Sequence, residues 1–267
     1  MELGLSNKKV FITGGASGIG KAIVKEFLKE GSFVVFTSRK QESINALYED
    51  FQMYKDSVKG ICVDVSEYDS VQKVKTALGD LNLTVEDFDV LVNNVGDTLG
   101  VTDHFCSLDD WRRVYRLNLE VHVEYVNLFT PAMIKRKWGR VVNITAGAAL
   151  ENSGPVPYCS FKAAYTAYTR SMARVLAETG VVMSAVLPGV VYTENGHWQE
   201  VMKTRPEHAE KYLQERTTLK RFGTPEEISP MVVLLASELA SFCVGSIVPV
   251  EGGQARHYFA GNRESYL

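Results

Sequence analysis

Along the chain, short runs of apolar and β-branched residues alternate with longer stretches in which apolar positions recur at helical spacing. The short runs predict strands at Val10–Thr13, Phe33–Thr37, Gly60–Asp64, Phe88–Val92, Arg140–Ile144, Val181–Leu187 and Ile247–Val250. Most are apolar at nearly every position, the pattern of strands covered on both faces and not of a half-exposed antiparallel sheet. The longer stretches predict helices at Gly18–Glu30, Gln41–Tyr54, Ser66–Leu78, Leu108–Lys135, Pro157–Thr179 and Pro225–Glu238. Gly31 suits a helix C-terminus, Asp64 and Ser66 can cap the third helix, and Pro157 and Pro225 fit first turns. The expected fold class is therefore α/β: one doubly wound domain over residues 1–267, its seven-stranded parallel sheet flanked by helices on both faces. Residues 192–222 break the rhythm with charged and aromatic side chains. They predict short helices forming a lid over a site, with a solvated surface insertion as the alternative. The tail, residues 254–267, receives no element.

Composition narrows the partners. A chain of 267 residues, 45% hydrophobic and 23% charged, can bury one large core. Its formal net charge of −3 leaves no excess of Lys and Arg to neutralise nucleic acid or an anionic membrane surface. Apolar stretches such as Met231 to Ala236 are too short to cross a bilayer, and the first ten residues hold no secretory signal. A soluble, cytoplasmic protein is expected, its mature chain starting at or near Met1. Cys62, Cys106, Cys159 and Cys243 are scattered without metal-ligand spacing, as are the five histidines, so reduced thiols and no metal are expected.

Thr13-Gly14-Gly15-Ala16-Ser17-Gly18-Ile19-Gly20 joins the first strand to the first helix. Glycines permit a tight turn and close approach of a ligand, and the free N–H groups of a helix start favour a pyrophosphate. In a Rossmann-like unit this is a dinucleotide cradle; taken alone it is also a helix-capping turn. At the end of the second strand stand Thr37-Ser38-Arg39-Lys40, with no carboxylate to repel a ribose 2′-phosphate. Ser38 can donate to that phosphate and Arg39 can add a charge-assisted bond, so NADP(H) is favoured over NAD(H). The plainer alternative is that Arg39 and Lys40 begin a solvated helix.

Tyr158 and Lys162 lie four residues apart in Tyr158-Cys159-Ser160-Phe161-Lys162, on one side of a predicted helix. A neighbouring ammonium favours phenolate and would lower the phenol pKa, fitting Tyr158 to exchange a proton with a carbonyl or hydroxyl. An isolated pair of this kind is also an ordinary surface pair. Together with the glycine turn, however, the chain resembles the short-chain dehydrogenase/reductase family from about Lys8 to Gly253. Asn93-Asn94-Val95-Gly96 resembles the family's NNAG segment, with Val where Ala is usual. Asp64-Val65 stands where the family contacts adenine, and Pro188-Gly189-Val190-Val191-Tyr192-Thr193 resembles its segment at the nicotinamide. Gly223-Thr224-Pro225-Glu226-Glu227 and Val250-Glu251-Gly252-Gly253 match structural signatures, with Glu251 replacing Asp.

The resemblance implies a role for each matching residue. Tyr158 would be the proton donor, Lys162 would lower its pKa and hold the nicotinamide ribose, and Asn118 would support a water on the proton relay. The cofactor-binding set would comprise Gly14, Ser17, Gly18, Ile19, Gly20, Ser38, Arg39, Asp64, Val65, Asn93, Gly96, Pro188, Gly189, Val191 and Thr193, with Tyr158 and Lys162. A homotetramer, or a homodimer, is implied as well. The family's hydroxyl partner of the Tyr is a Ser thirteen positions earlier, and that count lands on Thr145. Aligning Asn143-Ile144-Thr145-Ala146 on the family's N-I-S-S places Ala146 there instead, with Ser153, Tyr192 or a water left to compensate. Thr145 is the expected donor and Ala146 the alternative.

The expected activity is NADP(H)-dependent interconversion of a ketone and a secondary alcohol on a small organic substrate, with Tyr158 as acid/base. Two other readings stand beside it: a nucleotide-binding protein with weak or no catalysis, and an epimerase or dehydratase of the same family. Basic and aromatic side chains in the lid suggest a polar or anionic substrate.

Overall fold

The computed structural model describes residues 2–151, 154–194 and 196–254. In chain order its elements are β1 (Lys9–Ile12), α1 (Gly18–Lys29), β2 (Phe33–Ser38), α2 (Gln41–Asp50), β3 (Val58–Cys62), α3 (Ser70–Asp80), β4 (Val90–Asn93), α4 (Leu108–Tyr115), a π-turn (Arg116–Glu120), α5 (Val121–Arg136), β5 (Gly139–Ile144), α6 (Ala148–Glu151), α7 (Val156–Leu176), β6 (Val181–Pro188), α8 (His197–Thr204), α9 (Pro206–Arg216), α10 (Pro225–Ala236) and β7 (Ile247–Val250). All seven expected strands form, in one parallel sheet of order β3-β2-β1-β4-β5-β6-β7. Every residue of β5 and β6 is buried, because helices cover both faces.

Alternate residues of each strand feed opposite cores. Val10 and Ile12 of β1 pack with Ile23 and Phe27 of α1, Ile44 and Leu47 of α2, and Ile228 and Val232 of α10. Phe11 faces the other side, with Val74 and Leu78 of α3, Tyr125 and Phe129 of α5, and Leu176 of α7. Its ring sits 4.8 Å from that of Phe129 and 5.5 Å from that of Phe88. The chain winds outward in both directions from β1 and β4, and at such a reversal the helices diverge and leave a crevice beyond the strands' carboxyl ends. Topology alone therefore puts a ligand site at the ends of β1, β4 and β5.

Two local expectations need correction. The helix expected over Leu108–Lys135 is interrupted by the π-turn, where the Asn118 amide donates to the Val114 carbonyl at 2.9 Å and competes with the backbone ladder. The third helix begins at Ser70 and not at Ser66, because the Asp64 carboxylate takes the N–H and hydroxyl of Ser66 at 2.9 and 2.6 Å and closes a separate turn. Gly31 adopts φ +77° just past the Glu30 cap of α1, as expected. The 192–222 segment forms two short helices, α8 and α9. Among the described residues no helix is long and apolar enough to cross a membrane. Apart from Gln254, the tail lies outside the described residues.

Candidate active site

A groove of about 680 Å³ runs along the carboxyl ends of the strands, lined by Gly14, Ser17–Gly20, Ser38, Arg39, Asp64, Val65 and Gly96. It continues into a cleft of about 580 Å³ lined by Tyr158, Pro188 and Gly189, and the two share Ser17, Gly18, Gly96, Asp97 and Thr193.

The turn that opens the groove can be built only from glycine. Gly14 and Gly18 have φ of +69° and +51°, and a Cβ on Gly20 would stand 2.1 Å from the Gly14 carbonyl oxygen. No side chain caps the start of α1, so first-turn N–H groups face the groove with their dipole. That donor set suits a pyrophosphate. Thr193 packs against Gly18, where an added Cβ would meet its Cγ2 at 3.2 Å, so the start of the 192–222 segment touches the glycine turn. At the far end Ser38 only exchanges long 3.3 Å bonds with Lys40, and Arg39 is exposed on the rim.

Some expected site residues lie elsewhere. Asn93 is fully buried and donates to Asn143 at 3.1 Å, bracing β4 against β5. Its neighbour Asn94 lines the groove and donates to the Thr13 and Gly14 carbonyls at 3.0 and 3.1 Å, holding the glycine turn. Val191 pairs with Gly223 and lines a separate cavity of about 240 Å³ behind the cleft. Asn118 is buried, its amide donating to the Asp97 carbonyl at 2.7 Å and its oxygen accepting from the Asp97 N–H at 3.2 Å. It therefore pins the loop after β4 under the cleft. Thr145 is 4% exposed and its hydroxyl has no hydrogen-bond partner among the described residues, whereas Ala146 lines the cleft with Tyr158. Ser153 lies outside the described residues.

Lys162 is buried, with its ammonium nitrogen 3.2 Å from the Ile144 carbonyl oxygen and 5.7 Å from the centre of the Tyr158 ring. A Cβ on Gly96 would fall 2.5 Å from that nitrogen, so glycine is what lets the amine reach the junction of groove and cleft. Burial drives the Lys162 pKa down to about 7, partly offset by the charge of Asp97. Burial first, then Asp97 and Cys159, hold the Tyr158 phenol above its usual range. Burial thus outweighs the lowering that the sequence leads one to expect from Lys162, and the phenol stands above its usual range. Sequence reasoning also missed Asp97. A carboxylate directly after the Gly96 motif was the available signal.

The buried amine has a thermodynamic signature. With the folded pKa of Lys162 near 7 and an unfolded value near 10.5, the unfolded chain binds the extra proton between them, so stability should rise with pH across that window. Chemical denaturation at pH 7 and pH 10 should show wild type gaining several kcal/mol, in order of magnitude, relative to Lys162→Met. Parallel pH dependence in the two proteins would contradict this placement of the amine.

The 192–222 segment adds an aromatic cluster, with Trp198 at 4.7 Å from Tyr212 and 5.1 Å from Phe222. Gln254 ties it down, donating to the Tyr212 hydroxyl at 3.0 Å while accepting the Val190 N–H at 3.1 Å. Among the described residues, the charged and titratable groups lining the cleft are Asp97, Glu194, His197, His208 and Tyr212 besides Tyr158, and there is no Lys or Arg. Of the basic residues that the sequence places in the 192–222 segment, His208 lines the cleft, and Arg205 and Arg216 are not among its described lining residues. Among the described residues no cluster of His, Cys, Asp or Glu is arranged to hold a metal ion.

A doubly wound sheet, a glycine cradle at its reversal, Tyr158 on the wall of the adjoining cleft and Lys162 buried behind it fit an oxidoreductase acting on CH–OH or C=O groups. The short chain dehydrogenase family model matches residues 8–203, and the chain belongs to that family. It is 33% identical over 255 residues to the 3-oxoacyl-[acyl-carrier-protein] reductase FabG of Aquifex aeolicus, covering 95% of this chain and 99% of the relative. It is 32% identical over 250 residues to meso-2,3-butanediol dehydrogenase of Serratia marcescens, covering 92% and 94%. Among solved structures, L-sorbose reductase of Gluconobacter frateurii complexed with NADPH and L-sorbose superposes with a TM-score of 0.85 at 26% identity, covering 95% of this chain and 98% of that one.

Proposed function

We propose that the protein is an NADP(H)-dependent reductase of a neutral, hydroxylated ketone, with Tyr158 as the proton donor. The observation that carries this is the continuity of groove and cleft through Ser17, Gly18, Gly96, Asp97 and Thr193, which joins the phosphate cradle to Tyr158. When bound, the dinucleotide supplies the hydride. Gly14 to Gly20 and the start of α1 would hold its pyrophosphate, Ser38 and Arg39 its 2′-phosphate, and Asp64 and Val65 its adenosine.

The chain's own residues do the rest. The Tyr158 hydroxyl donates a hydrogen bond, then its proton, to the substrate oxygen as negative charge develops there. A phenol held above its usual range keeps that proton at neutral pH, which favours reduction over alcohol oxidation. Lys162, poised near pH 7, is able to take up and return a proton beneath the cleft. Ala146 lines the cleft and Thr145 is not among its described lining residues, which supports Tyr158 as the side-chain donor to the oxygen. Among the described lining residues there is no Lys or Arg, and the carboxylate and imidazole groups present bond hydroxyls, which supports a neutral substrate. The sorbose complex of a similar fold supports the same class.

NADPH oxidation measured against ketoses, small hydroxyketones and β-ketoacyl thioesters tests this reading. Turnover of the hydroxyketones is expected, and activity confined to thioesters would overturn the substrate class. Ser38→Asp should weaken NADPH by about tenfold or more and improve NADH, since a carboxylate accepts the ribose hydroxyls and repels the 2′-phosphate. An unchanged preference would remove Ser38 from cofactor selection.

A further inference from the structure

The groove extends past Asp64 and Val65 to a tyrosine that neither the motifs nor the family resemblance singles out. Tyr68 lines the groove, is 78% exposed, and lies with its ring 4.8 Å from the Arg116 guanidinium. Arg116 is an unusual support. Its side chain is 5% exposed, and its donors are committed to the Ser66 and Glu67 carbonyls, both at 3.0 Å, and to the Glu120 and Glu124 carboxylates at 3.2 and 2.7 Å. The guanidinium therefore cannot swing away, and it clamps the backbone just before Tyr68.

We propose that Tyr68, held on the fixed Arg116 plane, is the stacking platform for the adenine ring, an inference that rests on the dinucleotide reading of the groove. Three observations lead there. A large aromatic side chain stays in solvent although the second apolar core lies under the same loop, with Val65 buried in it. One ring face is satisfied by a cation, which leaves the other for a second planar group. The position follows the Asp64–Ser66 turn, where the adenosine end of a dinucleotide laid along the groove must arrive. The clamp matters energetically because a platform already fixed loses little freedom when the base settles on it.

The test uses the two halves of the cofactor. Wild type, Tyr68→Ala, Tyr68→Leu and Tyr68→Phe are titrated calorimetrically with adenosine 2′,5′-bisphosphate and, separately, with reduced nicotinamide mononucleotide. Tyr68→Ala and Tyr68→Leu should bind the bisphosphate about tenfold more weakly or worse, the range of base–aromatic stacking, while Tyr68→Phe stays within about threefold of wild type. Binding of the mononucleotide should not change in any variant, which separates a lost platform from a damaged groove. Leu retains apolar bulk without a π face, so bisphosphate affinity equal to wild type in Tyr68→Leu or Tyr68→Ala would overturn the proposal. Should wild type itself fail to bind the bisphosphate, the dinucleotide reading falls and this inference with it. Weakened binding of both halves would point to general disorder of the groove and also overturn the platform role.

Discussion

Tyr158→Phe should lower ketone reduction by about 10²- to 10⁴-fold, the contribution of a positioned general acid, while NADPH affinity stays within about twofold. The substitution removes one hydroxyl and leaves the ring that lines the cleft, so packing of α7 is preserved. The loss should fall on kcat, because the hydroxyl acts on charge that develops only as the carbonyl is reduced. Wild-type reduction should fade as pH rises toward the raised phenol pKa, and alcohol oxidation should strengthen, since deprotonated Tyr158 is the base for the reverse direction. Tyr158→Phe should lose that profile. Turnover unchanged in the variant would dismiss Tyr158 as the acid and return the protein to the reading of a nucleotide binder with another source of activity.

Ala146→Ser should raise kcat/KM by about tenfold or more, approaching the 10² or more associated with a single oxyanion donor. Ala146 lines the cleft beside Tyr158, so a hydroxyl added to its Cβ enters the space where the substrate oxygen meets the phenol. Thr145→Val gives the opposite control. The Thr145 hydroxyl is buried without a partner among the described residues, and an unpaired buried hydroxyl costs about 1–3 kcal/mol. Replacing it with the near-isosteric Val should leave the rate within about twofold and leave stability equal or slightly higher. Steady-state kinetics and thermal melts of the two variants decide the matter. A rate collapse in Thr145→Val with no gain in Ala146→Ser would return the donor role to Thr145.

The two alignments around Asn143 show where one-dimensional reading stops. Counting thirteen residues back from Tyr158 and matching the local Asn-Ile pattern give different answers, because the connection through α6 sets how the strand end meets the helix. Nothing in the residue types fixes that path. Asn93 and Asn94 pose the same problem, as two identical side chains one position apart. Strand alternation sends the first into the sheet, against Asn143, and the second to the glycine turn. The π-turn at Arg116–Glu120 was equally hidden. Its cause is an Asn118 amide whose partners, Val114 and Asp97, come from its own helix and from a loop twenty-one residues earlier.

What the sequence determined by itself is what depends on neighbours in the chain. Near-continuous apolar runs set the seven strands, because strands sandwiched between helices must be apolar on both sides. The glycines between β1 and α1 set the cradle, because positive φ and close backbone approach exclude side chains there. The four-residue spacing of Tyr158 and Lys162 set them on one helix, α7. Tertiary structure alone decided how those parts behave: that burial leaves the Lys162 amine near pH 7, that Ala146 and not Thr145 lines the wall, and that Arg116 holds Tyr68 at the edge of the groove. The reason is physical. Desolvation, charge and stacking act through space over a few ångströms, and the residues that meet at that range here are separated by tens of positions along the chain.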